Sequence, residues 1–90
     1  MKRADILAAA SDCVCRDRNR AYGEPENGFA LIAAYWSAHL DHPVTAADVA
    51  VMMTLLKLAR IKANPAHVDS FVDAAGYIAC GGELATEGAA

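Results

Sequence analysis

Four stretches of the chain repeat apolar residues every three or four positions, and clusters of polar, glycine and proline residues separate them. In the first, Ile6, Leu7, Ala10, Cys13 and Val14 share one face of a helix predicted over residues 4–15. In the second, Phe29, Ile32, Ala33, Trp36 and Leu40 form a stripe on a helix from Glu26 to Leu40, flanked by Tyr35 and His39. The third, from Ala46 to Lys62, is apolar nearly all round, with Val49, Val51, Met52, Met53, Leu55, Leu56, Leu58 and Ile61. A helix of that kind belongs at the buried centre of a bundle or of an oligomer. In the fourth, Phe71, Val72, Ala75 and Ile78 make the predicted core face, and Asp69, Asp73, Gly76, Tyr77 and Cys80 lie on the opposite stripe. No stretch alternates with the two-residue period of a strand.

The connections carry their own signals. Residues 16–27 are the most polar run; Gly23 tolerates positive φ and Pro25 biases Glu24 away from helix. Asp41-His-Pro-Val is a turn, and Thr45-Ala-Ala-Asp48 reads as a capping box with aspartate in the usual glutamate position. Asn64 and Pro65 suit the N-cap and first position of the last helix, which Gly81-Gly82 should end. The expectation is an all-α, four-helix bundle-like domain spanning residues 1–90, with its core in 5–82 and a frayed tail over 83–90.

Composition narrows the partners. The chain has 90 residues and is 56% hydrophobic, but much of that fraction is alanine, which buries little area, so homo-oligomerisation is expected to complete the core. A net charge of −3 argues against nucleic-acid polymers and anionic membranes as partners. No apolar run approaches the ~20 residues of a membrane span, and the first residues do not resemble a signal peptide, so the expected compartment is the cytoplasm. Cys13, Cys15 and Cys80 are odd in number and lack a Cys-x-x-Cys, which points to reduced packing thiols.

Polar chemistry concentrates in residues 55–77. Lys57 and Arg60 are three apart on one helix, while Asp69, Asp73 and Tyr77 are four apart on the next. The short turn between the helices should lay them antiparallel, cationic edge against acidic edge. Arg60 falls within the Val49–Met53–Leu56 face, where it needs Asp69, Asp73 or a ligand phosphate as partner. The loop arginines Arg16, Arg18 and Arg20 suit an anion, or else pair with Asp12, Asp17 or Glu26. Asp48 is either a cap or a lone metal carboxylate.

Taken in order, Asp17-Arg-x-x-x-Tyr22-Gly23, Asn27-Gly-Phe29, Tyr35-Trp36, Asp48-Val-Ala, Lys57-x-Ala-Arg60 and Asp69-x-x-x-Asp73-x-x-Gly76-Tyr77 resemble a family of short helical proteins carried by bacteriophages and prophages. The same set is more distantly similar to MazG-like all-α nucleoside triphosphate pyrophosphohydrolases and to nucleotide-modification-associated phage domains. That resemblance implies an all-α fold, oligomers with sites at subunit interfaces, and nucleotide ligands.

The enzymes place Glu-Glu-x-x-Glu on one helix and Glu-x-x-Asp on another to hold Mg²⁺. No Glu-Glu-x-x-Glu exists here, and no predicted helix interior carries a glutamate. A non-catalytic binder of a nucleotide or nucleotide-derived signal is therefore expected, with no cofactor. Arg18, Arg20, Lys57 and Arg60 would meet phosphates, and Tyr22, beside Gly23, Trp36 or Tyr77 would stack on a base. Asp69, Asp73 or Asn27 would bond base edges or ribose hydroxyls. The phage setting extends this to an anti-defence sponge that sequesters an immune second messenger. Two alternatives stand beside it: a Mg²⁺-dependent pyrophosphohydrolase using Asp48, Asp69 and Asp73, and an interaction module whose charges are interhelical ion pairs.

Overall fold

Among the described residues the chain forms α1 (Arg3–Asp12), a π-helical turn (Cys13–Asp17), α2 (Pro25–Leu40), α3 (Ala46–Ala63) and α4 (Val68–Glu87), with no strand. This computed structural model describes the backbone of residues 1–17 and 25–87 and the side chains of 1–15 and 28–87. The all-α expectation holds, and no described helix is long and apolar enough to cross a membrane.

Local chemistry fixes where the helices begin and end. The Lys2 amide donates to the Asp5 carboxylate at 3.1 Å, placing an acid in the first turn of α1. After α2, Asp41 takes the left-handed conformation (φ 51°), which short polar side chains tolerate best among residues bearing a Cβ. The Ser37 hydroxyl then clamps the turn, accepting from the Val44 amide at 2.8 Å and donating to the Val44 carbonyl at 3.1 Å. The capping box forms as its sequence implies. The Asp48 amide donates to Thr45 Oγ1 at 3.0 Å, and the Thr45 amide donates to Asp48 Oδ2 at 2.9 Å.

The α3–α4 turn differs from its prediction. Asn64 closes α3 rather than opening α4: its amide donates to the Arg60 carbonyl at 2.9 Å. Its own carbonyl accepts from the His67 amide at 3.1 Å, so Pro65 and Ala66 form a turn and α4 starts at Val68. Nor does Gly81-Gly82 stop α4, which continues to Glu87 and places Glu83 within a helix. Gly81 is there for close approach; a Cβ on it would lie 3.2 Å from the Ala50 Cβ. Packing against α3 offsets the ~1 kcal/mol by which glycine disfavours helix.

The core is narrow. Phe29, Ala33, Val49, Ala50 and Cys80 are buried, ringed by half-buried Val14, Ile32, Trp36, Met53 and Tyr77. The α2 stripe is as predicted except for Leu40, which is exposed, as is Leu7 on α1.

On α4 the predicted faces are exchanged in part: Val72 is buried and Asp69 exposed as expected, but Phe71 and Ile78 trade places with Gly76 and Cys80. Ser70, Val72, Gly76, Cys80 and Gly81 are buried, while Phe71 and Ile78 are 39% and 49% exposed. Small residues explain the change: the π-helical turn after α1 meets α4 at Gly76, where a Cβ would lie 3.0 Å from Val14 Cγ1, and α3 meets it at Gly81. A bulky phenylalanine or isoleucine on that face would hold the helices apart. Nor is α3 the buried centre of a single-chain bundle. Only Val49 and Ala50 are fully buried on it, and Val51, Met52, Leu55, Leu56 and Leu58 are exposed. Cys80 is buried as a packing thiol; Cys13 and Cys15 are exposed, and all three are free of disulfides.

Candidate functional site

The candidate site lies along the seam of the α3–α4 hairpin. Ala50 lies against Gly81, and Lys57 faces Asp73, which is the register of antiparallel helices. The cationic and acidic edges therefore meet as their spacing implies. Lys57 Nζ and Asp73 Oδ2 are 3.0 Å apart, with the side chains 19% and 39% exposed. That geometry is an ion pair at the rim of the core, partly shielded from water.

The other members of the set are distributed around this pair. Tyr77, one turn beyond Asp73, is half-buried with its ring centroid 6.2 Å from that of Phe29 and the planes tilted by 53°. Arg60, one turn beyond Lys57, is exposed and makes no ion pair with the described residues. Its predicted burial fails because the apolar face opens to water at this end of α3, where Leu56 is already exposed. Asp69 is likewise exposed, in the first turn of α4, where the helix dipole favours a carboxylate without any partner. Trp36 packs against the core, so its ring is an anchor of α2, while Tyr35 and His39 point to solvent.

Three carboxylates named as metal ligands do not converge. Asp48 is engaged in its cap near the start of α3, nine residues before Lys57 and so ~13 Å along the axis from the level of Asp73. Among the described residues no group of three His, Cys, Asp or Glu side chains is placed to hold a metal ion. The Asp48 carboxyl is held below the usual carboxylate range, first by the Thr45 amide that donates to it, then by the Thr45 side chain and more weakly by His42. Its electrostatics are those of a helix cap.

Arg18, Arg20, Tyr22, Gly23 and the side chain of Asn27 lie outside the described residues. The side chains that bracket them are described. Val14 sits beside Gly76, and Phe29 sits beside Tyr77, so the anchors on either side of the arginine-rich run use consecutive positions of α4. Sequence reasoning missed this convergence, since it placed Gly76 and Tyr77 on the face away from the core. The available signal was glycine followed by an amphipathic aromatic in a helix otherwise rich in alanine.

Comparison with known proteins agrees with the phage-related character of the chain. The model of a family described as a domain of unknown function, DUF6378, matches residues 5–85. The Gene 55 protein of Mycobacterium phage D29 is 41% identical over 75 residues, covering 83% of this chain and 50% of that protein. The Gene 55 protein of Mycobacterium phage L5 is 41% identical over 73 residues, covering 80% of this chain and 47% of that protein. The chain thus spans about half the length of these curated relatives. No solved structure matches it.

Proposed function

We propose that this chain, which belongs to the DUF6378 family, binds a nucleotide or nucleotide-derived signal at the α3–α4 seam without turning it over. One observation carries the reading: the Lys57–Asp73 pair has Arg60 one turn along α3 and Tyr77 one turn along α4, beside the anchors of an arginine-rich run. A phosphate group would meet Arg60 first, whose guanidinium fork is exposed and free of ion pairs with the described residues. Lys57 would add a second cation while Asp73 holds its ammonium in place. Tyr77 offers an aromatic edge to a base, and Asp69 or Asp73 can accept from ribose hydroxyls. Arg18, Arg20, Tyr22, Gly23 and Asn27 belong to the same proposed site, with Trp36 supporting it from the core.

Among the described residues the carboxylates are scattered, which favours binding over hydrolysis, because a triphosphate-cleaving site needs several converging on Mg²⁺. The motif resemblance to MazG-like proteins read from the sequence is what suggests nucleotides as the ligand class. Phage relatives support the setting, in which a small binder inside the bacterial host sequesters an immune second messenger.

The test is to incubate the purified protein with a panel of nucleotides and cyclic or ADP-ribose-type signals, remove the free compounds, denature, and analyse what is released. Recovery of one intact compound is expected, with Arg60→Met lowering its retention on the order of tenfold or more. Release of a monophosphate with pyrophosphate would show an enzyme instead.

A second reading is favoured by the closed geometry of the Lys57–Asp73 pair, which leaves the ammonium already matched. On that reading the chain is an interaction module and the pair fixes helix register. Lys57→Met would then change stability, and no compound in the panel would be retained by the wild-type protein.

A further inference from the structure

Among the described residues, the hairpin leaves one side of α3 without a partner. Residues Ala46, Ala50, Met53, Lys57 and Ile61 turn inward, all buried or half-buried. On the opposite side lie Asp48, Leu55 and Lys62, seven residues apart and hence within ~20° of one direction on the helix per step. Val51 and Leu58 border that line, and all five side chains are exposed, Leu55 by 57%. An apolar centre with an acid at one end and a base at the other is an unusual outer face for a helix whose exposed surface should be polar.

We infer that this face is a two-fold contact between two copies of the chain, with the α3 helices antiparallel and crossing at Leu55, so that Asp48 of each copy meets Lys62 of the other. The order of residues selects both the occupant and the direction. Asp48 and Lys62 are equidistant from Leu55, as are Met52 and Leu58, so a two-fold axis at Leu55 sets acid on base at both ends and apolar on apolar between. Parallel pairing would set Asp48 against Asp48 and Lys62 against Lys62, which repels at both ends. Antiparallel helices also oppose their dipoles favourably. The cap employs Asp48 Oδ2, leaving Oδ1 for an ammonium from the second copy.

A standard interface buries ~800 Å² on each partner, more than one helix seam provides. The adjoining helix supplies the remainder. Val51 Cγ2 lies 3.9 Å from the Cβ position of Gly81, so α4 borders this face, and its exposed Phe71 and Ile78 extend the apolar area. This contact is separate from the seam that carries Lys57 and Asp73 and stands whether or not a nucleotide binds there.

Zero-length carbodiimide coupling joins a carboxylate to an amine only in direct contact. Within one chain Asp48 and Lys62 are ~21 Å apart along α3, so any link between them must join two copies. Sedimentation of the wild-type protein at tens of micromolar should show a dimer, and peptide mapping of the coupled dimer should find the Asp48–Lys62 link. Leu55→Glu, at an exposed position that leaves the fold intact by circular dichroism, should weaken self-association on the order of 100-fold. Lys62→Glu should weaken it on the order of tenfold and Lys62→Arg should retain it. A monomeric wild-type protein, a dimer indifferent to Leu55→Glu, or a dimer whose links lie elsewhere would each overturn the inference.

Discussion

Gly81 and Gly82 are adjacent on one helix yet differ in their tolerance for a methyl group. Nothing lies within 4 Å of a Cβ on Gly82, whereas a Cβ on Gly81 would sit 3.2 Å from the Ala50 Cβ, an atom with no rotamer to yield. Gly82→Ala should therefore raise stability by about 0.5–1 kcal/mol, the helix-propensity gain alone. Gly81→Ala should lower it by about 1 kcal/mol, because α3 and α4 must separate. Urea denaturation of the two variants beside the wild type measures the contrast. Two glycines together signal a helix end as readily as a close contact, and sequence alone does not decide between them. Only the position of Ala50 does.

At the scale of elements, the cap of α3 and the stripe of α2 were legible, whereas the Asn64 and Gly81-Gly82 boundaries and part of the α4 face were not. Thr45 and Asp48 satisfy each other's amides within four consecutive residues, so their chemistry is local and readable from spacing. Thr45→Ala should lower the thermal midpoint through a loss of about 1 kcal/mol. Acid should have a related effect. The Asp48 carboxyl has a folded pKa below its unfolded value, so its contribution is present above the unfolded value, ~3.9, and is lost as pH falls through the folded value. Asp48→Asn should accordingly differ from the wild type in stability at neutral pH and converge with it at strongly acidic pH, as followed by thermal melts. The α4 face was misread for a tertiary reason: the partner helices approach too closely for Phe71 or Ile78 to stand between them. The Lys57–Asp73 pair was legible because two helices joined by a short turn must set such positions against each other. Its halves are unequal. Asp73→Ala leaves the ammonium of a mostly buried side chain unmatched and should cost about 1–3 kcal/mol. Lys57→Met keeps the apolar stem and leaves a carboxylate that water can reach, so it should cost less in the same denaturation measurement.

At the scale of the whole molecule, Phe29 and Val49 are the largest fully buried side chains among the described residues, a modest core for a chain this rich in apolar residues. Apolar excess was visible in the composition, but its location was not, because α3 is apolar on every side and offers no amphipathic contrast to orient it. If the outer face of α3 joins two copies, the thermal midpoint should rise with protein concentration for the wild type and stay constant for Leu55→Glu, measured by calorimetry over a hundredfold range. Of the candidate site, the hairpin residues could be placed from spacing, whereas Arg60 could not, since the end of a helix decides which of its faces meets water.

The three thiols divide two to one, with Cys13 and Cys15 at the surface and Cys80 enclosed between α4 and its neighbours. A colorimetric thiol reagent mixed with the native protein should thus register two fast equivalents and one slow. The slow reaction proceeds only when the hairpin opens, and its rate divided by that of a free cysteine gives the fraction of time spent open. The chain carries its own stopwatch for that motion.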